Sequence, residues 1–150
     1  MTASTSNSNS NKLGSSGQTA GSSPMPSAKR STTKARGDAA EDDALAHLQA
    51  RGLTLVARNY RTPGRGGGEI DLIMREPRDA TLVFVEVRRR ASASHGGAGA
   101  SITGLKQRRI VFAARHYLMM LRSVPPCRFD VVLVQQGERI EWLKAAFDAA

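Results

Sequence analysis

Asp71 and Glu86 are the residues of this chain that carry the most chemistry, because each is an acid set into an otherwise apolar run. Asp71 lies in Gly68-Glu69-Ile70-Asp71-Leu72-Ile73, and Glu86 lies in Val83-Phe84-Val85-Glu86-Val87-Arg88. An unpaired charge in a buried strand costs on the order of several kcal/mol, so such acids persist where they have a partner or a task. If the two segments form a hairpin turning at Arg78 and Asp79, Asp71 falls opposite Glu86, Glu69 opposite Arg88, and Ile73 opposite Phe84. Side chains two apart share a strand face, so this register builds one face with an apolar end and an acidic end. Directly opposed residues have Cβ atoms about 4.5–5.5 Å apart, and carboxylates that close repel unless a cation lies between them. Mg²⁺ or Mn²⁺ suits such a pair, taking one or two carboxylates, waters and the phosphate oxygens of a substrate. The backbone carbonyl of Val87 is a further candidate ligand. The competing reading makes both acids solvated charges balanced by Arg75 and Arg88.

Several elements must position that pair. Ala40, Ala44, Leu45 and Leu48 recur at three- and four-residue spacings, which predicts a helix from about Gly37 that stops near Gly52. Leu53 to Tyr60 reads as a strand, the Pro63 to Gly68 segment as a turn, and Glu69 to Arg75 as a second strand. After the turn at Glu76 to Asp79, Leu82 to Val87 is apolar enough for a central strand. Residues 91 to 101 are small and glycine-rich, and Thr103 caps a helix running to about Leu121. Pro125 and Pro126 end it. Phe129 to Gln135 and Arg139 to Leu143 complete the pattern as two strands joined by a turn at Gln136, Gly137 and Glu138. The order helix, three strands, helix, two strands predicts an α/β domain with a mixed sheet flanked by helices.

The 150 residues allow one domain. Residues 1–34 are dominated by Ser, Asn, Thr, Gly and Ala and read as a disordered, low-complexity basic tail, leaving 35–150 as the domain. The chain has 22 Lys and Arg against 13 Asp and Glu, a formal charge of +9. Lys12, Lys29, Arg30 and Lys34 account for four of those charges, so the domain itself stays basic and nucleic acid is the expected partner. Cys127 is the single cysteine, which excludes an intramolecular disulfide and a cysteine-based zinc cluster. Apolar runs are too short to span a membrane, and the amino terminus lacks the apolar stretch of a secretory signal. A cytoplasmic protein with no membrane partner is therefore expected.

Gly37-Asp38-Ala39-Ala40-Glu41, the two acid-bearing segments and Arg128-Phe129-Asp130-Val131-Val132, in that order, closely resemble the bacterial YraN-like family of uncharacterised proteins, from about Arg36 to the carboxyl terminus. That family looks like a branch of the restriction-endonuclease-like superfamily, which includes archaeal Holliday-junction resolvases and shares a metal site written Asp, then Glu-x-Lys. The resemblance implies a restriction-endonuclease-like fold, with Glu41 as the first-helix acid and Asp71 and Glu86 as metal-holding residues. It puts Arg88 at the lysine position. This is a departure, since a guanidinium stabilises phosphate charge but does not act as a general base. Lys106, at the start of the second long helix, is a candidate replacement amine, its competing reading being a solvated helix position. Gln107 is a candidate for positioning water or phosphate. Arg108, Arg115 and Arg122 recur every seven residues as a basic stripe that could follow phosphates.

These residues support a Mg²⁺-dependent endonuclease acting on DNA, with branched substrates implied only by the resolvase resemblance. The competing reading is a catalytically inactive adaptor that binds DNA or RNA on a nuclease fold. A homodimer is compatible with the same resemblance. His47, His95 and His116 form no metal spacing. Cys127 reads as a small buried side chain, and Trp142 and Phe147 as packing at the carboxyl-terminal edge.

Overall fold

A computed structural model describes residues 32–90, 102–135 and 139–149. Helix α1 spans Thr33–Ala50, followed by strands β1 (Thr54–Arg61), β2 (Glu69–Arg75) and β3 (Leu82–Arg90), helix α2 (Gly104–Met119), and strands β4 (Cys127–Gln135) and β5 (Ile140–Phe147). This is the expected α-β-β-β-α-β-β order. The five strands form one mixed sheet in sequence order. Only β3 and β4 are parallel, and α2 makes the crossover between them.

Local chemistry explains the helix ends. Thr32 caps α1 by accepting a 3.2 Å hydrogen bond from the amide of Ala35, so the helix starts four residues before Gly37 and takes in Thr33 and Lys34, which had been assigned to the tail. At its other end the amides of Gly52 and Leu53 donate to the carbonyls of Gln49 and Leu48. Gly52 takes φ +94°, the left-handed conformation this closure requires. Thr103 caps α2 as expected, accepting from the Lys106 amide at 3.3 Å. That helix ends at Met119, leaving Arg122 beyond it, so the proposed arginine stripe is not continuous along one helix.

The helices cover opposite faces of the sheet. Ala40, Ala44 and Leu48 of α1 pack on Leu72, Met74, Val83, Val85, Val132 and Val134. Ile110, Ala113 and Ala114 of α2 pack on Ile73, Phe84 and Phe129. β3 is thus covered on both sides, which is why it reads as an unbroken apolar run from Leu82 to Val85. Phe147 stacks on Phe129, with ring centroids 5.0 Å apart, and Trp142 packs against the α1-side core, both as expected. Cys127 is exposed at the start of β4, contrary to the buried position expected for it. The glycine-rich segment 91–101, with His95, and the turn at 136–138 lie outside the described residues.

Candidate functional site

The β2–β3 register is the one expected from the hairpin. Ile73 pairs with Phe84, and the last paired residues toward the acidic end are Leu72 and Val85. Asp71 and Glu86 are the next position along that register. The Asp71 carboxylate there accepts a 2.7 Å hydrogen bond from the Val87 amide, so a side chain takes a backbone donor just past the last ladder pair.

The face assignment of Asp71 differs from expectation. Ile70 and Ile73 both join the α2-side core although they are three residues apart, which regular alternation forbids. The irregularity coincides with Asn59 of β1, which has φ +48° and stands between the pairs Arg58–Leu72 and Tyr60–Ile70. Asparagine tolerates this conformation better than most residues. Asp71 consequently lines a cavity walled by Gly37, Ala40 and Glu41 of α1 rather than sharing the face of Ile73.

This cavity, of about 410 Å³, also takes in Glu86, Val87, Arg36 and Arg89. Glu86 is only 6% exposed. From α2, Lys106 brings its Nζ to 3.2 Å from Glu86 Oε2, an ion pair without the alignment of a hydrogen bond. Glu41 is held from β1, where Arg58 Nη2 lies 3.7 Å from Glu41 Oε2 and 2.8 Å from Asp42 Oδ1. One carboxylate oxygen each of Glu41 and Glu86 is buried with no hydrogen-bond donor.

The electrostatics follow from crowding acids into a partly dry space. Burial and the neighbouring Asp71 carboxylate push Glu86 up to about 7, against the pull of Lys106. Asp71 is also raised, chiefly by burial, while the Val87 amide and Lys106 oppose the shift. Glu41 is raised by burial and by Asp71. The site thus concentrates negative charge and leaves two ion-paired carboxylate oxygens without hydrogen-bond donors, which is what a further cation or a proton would relieve.

Four of the residues expected at the site meet there: Glu41, Asp71, Glu86 and Lys106. Arg88 does not line the cavity and makes no hydrogen bond or ion pair with a described residue; the neighbouring Arg89 lines it instead. Arg89 was legible from alternation, since it follows Val85 and Val87 on the α1-facing side of β3. Asn59 was not anticipated, and its signal was an asparagine, a residue type suited to turns, inside a strand.

Gln107, Arg108 and Arg115 gather elsewhere. They line a separate cavity of about 480 Å³ with Phe112 and Asp148. The Gln107 amide donates to the Ile102 carbonyl at 3.2 Å, and Arg115 donates to the Ala149 carbonyl at 3.2 Å. His116 and Tyr60 hydrogen-bond to each other. Asp130 is fully buried and accepts from Arg128 Nε, Trp142 Nε1 and the Ala145 amide, which makes it a clamp between β4 and β5.

The model of uncharacterised protein family UPF0102 matches residues 40–134. A UPF0102 protein of Paracidovorax citrulli is 70% identical over 126 residues, covering 84% of this chain and 92% of the relative. One from Verminephrobacter eiseniae is 70% identical over 118 residues, covering 79% of this chain and 81% of the relative. One from Cupriavidus pinatubonensis is 61% identical over 124 residues, covering 83% and 93% respectively.

Proposed function

This chain belongs to the UPF0102 family, the YraN-like family its motifs resemble, and from its site we propose that it is a metal-dependent endonuclease acting on nucleic acid, DNA in the first instance. The observation that carries the proposal is the meeting of Asp71 and Glu86 at one cavity with the Lys106 ammonium 3.2 Å from Glu86.

The donor set fits Mg²⁺ or Mn²⁺. Among the described residues no three His, Cys, Asp or Glu side chains are gathered closely enough to enclose a metal. Mg²⁺ needs no such cage, because it keeps several waters and binds through one or two carboxylates and substrate phosphate. Asp71 and Glu86 would hold it, and Glu86 Oε2, which has the Lys106 ammonium at 3.2 Å but no hydrogen-bond donor, keeps acceptor capacity for it. When bound, the cation would acidify a water and offset phosphate charge.

The chain's own residues do the rest. The Val87 amide fixes one Asp71 oxygen and with it the carboxylate on the cavity wall. Lys106 favours the ionised form of Glu86 and would set an ammonium beside the reacting phosphate, the role the resemblance gives to a lysine. Arg36 and Arg89 on the cavity wall would bind phosphate oxygens. Glu41 would hold a water at the edge of the cavity.

The test uses labelled four-way junction, forked, duplex and single-stranded DNA with Mn²⁺ or EDTA. Wild type should cleave only with metal. The Asp71→Asn/Glu86→Gln double variant should bind but not cleave, and Lys106→Met should slow cleavage about a hundredfold or more. Tight binding without cleavage, unchanged in the double variant, would refute the enzyme reading in favour of an adaptor.

A further inference from the structure

The acidic cavity opens into a larger groove. Arg36, Ala40 and Arg89 line both, and the groove continues along α1 past Ala46 and His47 to Arg51, with a volume of about 720 Å³. Its far wall is built by Val134, Gln135 and Ile140 at the ends of β4 and β5. Ala39, Ala46 and Ala50 put only methyl groups on the helix wall, so that wall is apolar. Three arginines against the single Asp43 make the lining electropositive.

We infer that this groove is a subsite for an unpaired strand leaving the reacting phosphate, so the substrates are nucleic acids with a single-stranded segment beside the scissile bond. The inference rests on the nuclease reading of the acidic cavity. An apolar wall with a basic rim suits a single strand, whose bases lie against apolar surface while its backbone follows the cations. A cavity of about 720 Å³ is of the class that takes ligands of a few rings, far less than the volume a duplex segment would fill. From Arg36 to Arg51, α1 rises about 22 Å, room for a few nucleotides of extended strand. Continuity with the acids fixes where the strand begins: at the phosphate held beside Asp71 and Glu86.

The test measures binding in EDTA, by fluorescence anisotropy, of a blunt DNA duplex and of the same duplex carrying a single-stranded arm of about six nucleotides. Ala46→Trp fills the groove at an exposed helix position away from the acids, and Arg51→Ala removes a cation at its far end. Circular dichroism and thermal melts establish that both variants fold. Wild type should prefer the armed duplex about tenfold, and Ala46→Trp should abolish the preference while leaving blunt-duplex affinity unchanged. Arg51→Ala should reduce the preference and lower its salt dependence. Equal binding of the two DNAs, or a preference that survives Ala46→Trp, would overturn the subsite. If metal-dependent cleavage persists in that case, the nuclease reading stands alone. Absence of both binding and cleavage would sink the two together.

Discussion

Glu86 is the residue at which stability and function pull apart. Its carboxyl has a folded-state value of about 7 against an ordinary value near 4.5, because burial and Asp71 disfavour its charge. Between those values the folded chain holds a proton that the unfolded chain has lost, so stability falls as pH rises through this window. Above about pH 7 the full cost is present. Replacing Glu86 with Gln removes it, and the variant should be more stable than wild type at pH 8 by about 1–3 kcal/mol, with the gain vanishing near pH 4. Urea midpoints across pH measure this directly; a variant less stable at pH 8 would contradict the balance described. Lys106→Met should act in the opposite sense, destabilising the fold at pH 8 by about 1–2 kcal/mol and much less at pH 5, where Glu86 carries a proton. Asp130 provides the contrast. It is as buried as Glu86 but fully bonded, so Asp130→Ala strands Trp142 and an amide, leaves Arg128 with Glu76 alone, and should cost about 3–5 kcal/mol at neutral pH.

At the scale of elements, the site depends on how closely α2 approaches β2. A Cβ on Gly68 would fall 1.9 Å from the Arg109 carbonyl oxygen and 2.9 Å from the Ala113 Cβ. Gly68→Ala should therefore force α2 outward, lose about 2–4 kcal/mol in urea unfolding, and draw Lys106 away from Glu86. Cleavage by the folded fraction should drop with it. This explains a glycine directly ahead of the Glu69-Ile70-Asp71 strand: it is where a helix backbone rests on the sheet. The element order, the hairpin register and the Thr103 cap were all readable from apolar periodicity and turn residues, because these follow from local chemistry. The convergence of Asp71 and Glu86 was readable too, through acids interrupting apolar segments, whereas Glu41 followed only from the family resemblance. The break in alternation at Asp71 was not, since it depends on the positive φ of Asn59 on a neighbouring strand. That break turns Asp71 toward α1, and Arg89 rather than Arg88 then shares its cavity. Lys106 shows the same limit: helical spacing placed it at the start of α2, but only packing of that helix on the sheet decides that its amine reaches Glu86.

For the whole molecule, charge is divided between residues 32–150 and the segment ahead of them. Residues 1–31 carry Lys12, Lys29 and Arg30 and no acid, so removing them takes the formal charge from +9 to +6. The acids and Lys106 all lie beyond that segment, and so do the arginines of both cavities on the α1 side. A chain beginning at Thr32 keeps the Thr32 cap on α1 and should melt at the same temperature as the full chain. Its nucleic-acid affinity should differ in a specific way. Each phosphate neutralised by a cation releases counterions and adds about 0.9 to the slope of log affinity against log salt, so losing three cations should shrink the slope by about 1–3. The two chains would then bind differently at low salt and converge at high salt, while their cleavage rates at saturating DNA stay equal. Parallel salt plots would mean that the three leading cations never meet the phosphates, and that recognition rests wholly on residues 32–150, where Arg36, Arg51 and Arg89 ring the route to the acids.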